Sequence, residues 1–346
     1  MFATFGAVWW AGWQWYPFAT VHEDRSSASL FEGAPPHVMG PLFLVLGVVG
    51  VASGFVMLQE HVGPALRRAA TGYGAGAAVL FAGVMSDYTP LTTLVMWPAM
   101  LVFAFTGVPG AQDGIGDILY WHRVNVLLIF VGGLLWAGAT LGHYRRTQGA
   151  CSRCGRGGLR PEPTTERLLR WGRAGVWVAV LSTVPYDITR LAWFLGWPLG
   201  LSDPLYDSLA ATPGLLAIGL VLGLVSTGGA MLTHGLIAAW GERFPSWVPR
   251  LARRRVPVML AVIPAATVTV TIPAASVMFL NPRVNDGFSA ENWSTWAPSL
   301  IWLFWAVGLG VATYCYWLRR RGPCQHCERT DGRTCDDLPD RQGRIR

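Results

Sequence analysis

The sequence predicts an all-α polytopic transmembrane helix bundle of about eight spans with one re-entrant segment. Three observations predict it. Hydrophobic residues fill 52% of the 346 positions and charged residues 14%, a balance suited to a chain whose solvent is largely hydrocarbon. Apolar runs close to the ~20 residues that cross a bilayer recur along the chain. The basic residues are all arginine, with no lysine, and they fall in a few sets separated by acidic connections. In a membrane protein such a distribution reports orientation before it reports partners. No soluble basic module is long enough to bind nucleic acid.

Taken in order, the apolar runs cover roughly 1–18, 41–58, 72–86, 91–108, 119–142, 174–196, 213–237, 257–280 and 297–318. The first is Trp-rich (Trp9, Trp10, Trp13, Trp15) and reads as a short span. Its start, Met1 to Gly6, has no basic flank, which argues against a cleavable signal peptide and for a translation start upstream. Counting every run gives nine crossings. The arginines argue for eight. They cluster at Arg67 and Arg68, from Arg145 to Arg173, from Arg243 to Arg255, and from Arg319 onward. The positive-inside rule places all four sets in the cytoplasm, and only eight crossings satisfy it, with both termini inside. The odd run lies within 72–108, where Ser86-Asp87-Tyr88-Thr89-Pro90 interrupts the apolar pattern. One full crossing plus a segment returning to the outer side fits, provided protein shields its backbone. The expected organisation is a transmembrane domain over 1–318 in the cell membrane. Cytoplasmic loops fall at 143–173 and 238–256, and a cytoplasmic tail at 319–346.

Local signals support these limits. Thr164-Thr165-Glu166 follows Pro161 and Pro163 and reads as an N-cap with an acid in the first turn. Trp240, Phe244, Trp247 and the arginines to Arg255 suit a segment lying on anionic lipid. Pro264 and Pro273 should bend the run 257–280, with Thr267, Thr269 and Thr271 available for the freed carbonyls. The GxxxG spacings Gly50/Gly54 and Gly219/Gly223 read as close helix packing.

Two groups of residues carry chemistry. On the cytoplasmic side, Cys151-Ser152-Arg153-Cys154-Gly155 and Cys324-Gln325-His326-Cys327 match the outline of a four-cysteine zinc site. A reducing compartment argues against structural disulfides. Zinc held by Cys151, Cys154, Cys324 and Cys327 would be structural and would clip the long loop to the tail, with His326 and Cys335 as spare ligands. Redox-active dithiols and two unrelated thiol pairs remain the alternatives. On the outer side, the run 174–196 carries Tyr186, Asp187 and Arg190. The i, i+3 spacing puts the acid and the base on one helix face. At ~1.5 Å per residue from Val176, Asp187 lies roughly 17 Å along, just past the midplane. Asp87, His122 and Arg123 fall towards the same side, so the six residues are candidates for one outward-facing polar pocket. A helix-locking ion pair, Asp187 to Arg190 or Asp87 to Arg190, is the competing account. No phosphate-binding loop, HExxH or GxSxG motif accompanies them.

Three stretches together carry a resemblance: Gly132-Gly133-Leu134-Leu135-Trp136 leading to Tyr144-Arg145-Arg146, the Cys151 knuckle, and Pro185-Tyr186 through Arg190 and Trp193 to Gly196 and Gly200. They resemble uncharacterised multi-pass integral membrane proteins of high-GC Gram-positive bacteria, over roughly 60–250. The resemblance implies an α-helical membrane domain and no assigned activity. The expected function is a membrane sensor, binding or scaffold protein, surrounded by membrane lipids, whose cysteine module meets a cytoplasmic protein partner. The alternative is a transporter or lipid-handling enzyme that uses the Asp187–Arg190 pocket.

Overall fold

Within a bilayer a chain satisfies its own backbone polar groups as helices or as a closed barrel, and this chain takes the helical route. The computed structural model describes residues 1–12, 16, 18, 29–59, 61–94, 121–159, 162–246, 248, 250–282 and 288–328. Among them the regular structure is helical, apart from one antiparallel bridge between Arg243 and Arg255.

Helix α1 (Phe2–Trp10) lies against α2 (Pro36–Leu58). The two run antiparallel: Gly40 near the start of α2 meets Trp10, and Gly47 further along meets Ala3. A Cβ on Gly40 would come within 2.7 Å of the Trp10 backbone nitrogen, so glycine sets this approach. Next comes α3 (Pro64–Ala78), which continues as a π-helical stretch over Val79–Val84. The expected apolar run from 72 is therefore the second part of a longer helix, whose first turns carry Arg67 and Arg68. Asp87 follows. Its Oδ1 accepts the Thr89 N–H at 2.6 Å, an Asx turn that starts the helical residues 89–94. The rest of the expected re-entrant region, 95–120, lies outside the described residues.

Helix α4 (Trp121–Thr147) closes the first group on α3. Its core holds Trp9, Phe18, Phe43, Phe81, Met85 and Ile129. The second group is α5 (Thr165–Phe194), the short α6 (Asp203–Ala211), α7 (Leu215–His234), α8 (Val258–Val277, then one 3-10 turn to Leu280) and α9 (Trp293–Arg320). Here α5 is flanked by α9 and α7. Gly175 and Gly308 bring α5 and α9 into near backbone contact: a Cβ on either would lie 2.6 Å from the other's carbonyl oxygen. Val176, Ala179, Leu309, Ala312 and Tyr316 fill this second core. The π-helical stretch of α3 joins the groups by packing on α8.

Thr164 caps α5 as the sequence predicts, its hydroxyl accepting the Arg167 N–H at 3.3 Å with Glu166 in the first turn. The threonines of α8 behave differently. Thr267, Thr269 and Thr271 donate to Ile263, Ala265 and Thr267, each four residues back. The carbonyls that Pro264 and Pro273 deprive of a partner belong to Leu260 and Thr269 instead.

Among the described residues five helices, α2, α4, α7, α8 and α9, are long and apolar enough to cross a membrane. They also leave large apolar side chains uncovered, such as Phe55, Leu135, Val225 and Val307, each more than 60% exposed. In water that surface would drive aggregation, and in lipid it is solvated. Helix α5 is longer, at 30 residues, but Asp187, Arg190 and the arginines of its first turns lower its hydropathy.

Basic residues share one end of the bundle. Arg146 donates to Met57 O near the end of α2, six residues before α3 begins with Arg67 and Arg68 close behind. Arg319 pairs with Glu242 at 3.0 Å, and Arg320 donates to Val256 O, which ties the end of α9 to the 243–255 arginines. At the other end, Asn281 donates to Ser29 O and Ser294 to Gly200 O.

Candidate metal centre and the polar stretch of α5

Two loops that end on different helices build the cysteine cluster. After α4, the chain turns at Gly149 and folds back, with Leu159 N–H on Gln148 O at 3.1 Å and Cys151 N–H on Arg156 O at 2.9 Å. This holds Cys151 and Cys154 at the tip. After α9, Cys324 and Cys327 form a second turn. The two turns share one backbone design. Gly155 N–H bonds Cys151 O, and Glu328 N–H bonds Cys324 O, both at 2.8 Å. Gly155 and Glu328 are both left-handed, at φ 77° and 55°. Glycine adopts this region freely, whereas a side chain there costs about 1–2 kcal/mol, so the second turn holds its form against local preference.

In each turn, backbone N–H groups point at sulfur. Those of Cys154 and Arg153 reach Cys151 and lower its thiol below the ordinary range. Those of His326 and Cys327 do the same for Cys324 and bring it to about 6. Burial dominates at Cys154 and pushes its thiol up to about 12. A thiolate stabilised by amide hydrogens is the form that binds metal.

All four sulfurs lie within 4.8 Å of one another. Cys154 Sγ and Cys327 Sγ, 173 residues apart in sequence, are 3.6 Å from each other. A disulfide would need about 2.05 Å. A tetrahedral ion with Zn–S bonds of about 2.3 Å sets its sulfurs roughly 3.8 Å apart, close to this spacing. The four cysteines could hold a metal ion. His326 is exposed and outside the group, and Cys335 lies outside the described residues.

Arginines that read in sequence only as topology markers brace this cluster. Arg145 donates to the carbonyls of Ser152 and Arg153 at 3.1 and 2.7 Å. Arg321 donates to Cys154 O at 2.6 Å, pairs with Glu162 at 3.4 Å and lies over Trp317. It therefore spans from the second turn to the first. Arg156, two residues after Cys154, is 2% exposed. Four thiolates around a divalent cation leave two negative charges, which guanidinium groups at this range offset. Only the adjacency of Arg145 and Arg321 to the CxxC pairs could have flagged them.

The six candidates for the outer pocket are distributed over both helix groups. Tyr186, Asp187 and Arg190 sit on α5 facing α7 and α9. Asp87 lies beyond the π-helical stretch of α3, buried, and His122 and Arg123 open α4. The side chain of His122 lies outside the described residues. Asp187 and Arg190 are brought close by the helix yet turn to different partners. Asp187 Oδ2 accepts the Thr227 hydroxyl of α7 at 3.0 Å. Arg190 lies against two rings, 4.6 Å from the Tyr186 centroid and 4.0 Å from that of Trp193. Among the described residues no ion pair joins the two.

Comparison with family models, with curated proteins and with solved structures gives no match to this chain. Fold and site define the class: a helical protein with, among the described residues, five helices fit to cross a membrane and four clustered cysteines that could hold a metal.

Proposed function

We propose that the chain is a multi-pass protein of the cell membrane whose cysteine module holds one structural zinc ion. In this reading the arginine-rich end and both termini face the cytoplasm, and about eight spans with one re-entrant piece make up the bundle. The zinc ties the α4–α5 loop to the segment after α9. The module acts as the cytoplasmic face of a membrane sensor, binding or scaffold protein and presents that face to a protein partner. The resemblance over 60–250 belongs to the same proposal.

One observation carries the metal reading. Sulfurs from distant parts of the chain meet at coordination spacing, in two turns of matching backbone geometry whose amides point at sulfur. Unrelated thiol pairs have no reason to share that design. Four thiolates fill a tetrahedral ion and leave no open position, so the role is structural rather than catalytic. Zinc suits four sulfurs in a reducing compartment better than harder cations do. Gathering of the basic sets at one end supports the orientation.

Cys154→Ser tests the assignment. The variant is expected to lose most of the bound metal and to loosen the loop, seen as faster proteolysis between residues 148 and 164. Unchanged metal content in that variant would refute the ligand set. The transporter or lipid-enzyme alternative draws on α5, where Arg190 is the informative residue.

A further inference from the structure

Arg190 is a half-buried cation between α5 and α7, and its surroundings supply rings rather than acceptors. Its Cβ lies against Gly223 of α7 and its Cδ against Gly219, at 3.4 and 3.6 Å from where those residues would carry a Cβ. The side chain thus climbs one turn along α7 towards that helix's N-terminus at Leu215, away from the basic end of the bundle. Glycine at both positions leaves room for that path. Tyr186 and Trp193 flank the guanidinium at 4.6 and 4.0 Å. Trp193 is itself held in place, its indole N–H on Leu199 O at 3.0 Å and its carbonyl accepting Tyr206 O–H at 3.1 Å. Among the described residues no acceptor meets the N–H groups of Arg190 and no carboxylate neutralises it, since Asp187 is engaged by Thr227.

A guanidinium left without acceptors at this depth is costly, and such groups mark binding sites or pair with something outside the protein. Its planar fork matches two oxygens of a phosphate. We propose that Arg190 binds a phosphate-ester anion at the outer mouth of the α5–α7 groove, with Tyr186 and Trp193 fixing the fork. The ester is either a phospholipid headgroup of that leaflet or a soluble metabolite. The proposal rests on the membrane placement and is independent of the metal reading, which zinc content reports separately.

Thermal unfolding of the full chain in neutral detergent, with added phosphatidylglycerol or with glycerol 3-phosphate, tests it. One of the two is expected to raise the midpoint in the wild type. Arg190→Lys keeps charge and stem but loses the fork, and should need at least about tenfold more ligand for the same rise. Arg190→Gln should abolish the response, with elution volume and the ligand-free unfolding midpoint reporting that each variant is folded. A response to the lipid alone identifies a headgroup site, and an equal response to glycerol 3-phosphate identifies a soluble ester. No rise with either probe, or identical responses of Arg190→Lys and wild type, would overturn the proposal.

Discussion

Cys324 and Cys154 sit a few ångströms apart in opposed electrostatic surroundings. Amide hydrogens lower Cys324 to about 6, which favours its thiolate, while burial pushes Cys154 up to about 12, which favours its thiol. The thiolate is the nucleophile. In metal-stripped protein at pH 7, iodoacetamide should therefore modify Cys324 first and Cys154 last, as read by peptide mass spectrometry. Metal-loaded protein should resist at all four positions. Early modification of Cys154 would contradict this electrostatic order. At this scale the four cysteines that cluster were legible, because CxxC spacing survives in sequence whatever the fold around it. Arg145 and Arg321 were not legible as braces, because an arginine in a basic loop looks the same whether it holds a carbonyl or marks a leaflet. The i, i+3 spacing of Asp187 and Arg190 indicated a shared face and hid their separation. Rings three and four residues away draw Arg190, and the Thr227 hydroxyl of α7, distant in sequence, draws Asp187.

Between elements, the tightest control lies where Gly175 meets Gly308. Backbone atoms oppose each glycine there, so neither helix can yield by turning a side chain. Gly308→Val should cost about 1–3 kcal/mol by overpacking and lower the unfolding midpoint. Gly228→Ala on α7, where a Cβ meets nothing within 4 Å, should leave the midpoint level or raise it. Equal effects from both would mean that the Gly175–Gly308 approach does not limit stability. Helix existence was readable from apolar runs and caps, as Thr164 illustrates. Helix extent was less so: α3 begins eight residues before its apolar run because Pro64, Arg67 and Arg68 in its first turns lower the hydropathy although they are compatible with a helix. Proline position in α8 was visible, but the threonine hydroxyls bond the nearest i−4 carbonyls rather than the orphaned ones.

For the whole molecule, arginine distribution anticipated a geometric fact, the gathering of the basic sets at one end. It did not reveal the two helix groups, nor that the π-helical part of α3 joins them, since contacts between distant helices leave no local pattern. Impermeant maleimide should label Arg68→Cys and Asp203→Cys from opposite sides of sealed vesicles. Labelling of both from one side would break the orientation. Whether the cysteine module holds zinc is decided by the metal content of the purified full chain. Elemental analysis with zinc-edge absorption should find one zinc per chain and a shell of four sulfurs at about 2.3 Å. Metal-free protein, or a shell of nitrogen and oxygen, would contradict the zinc assignment.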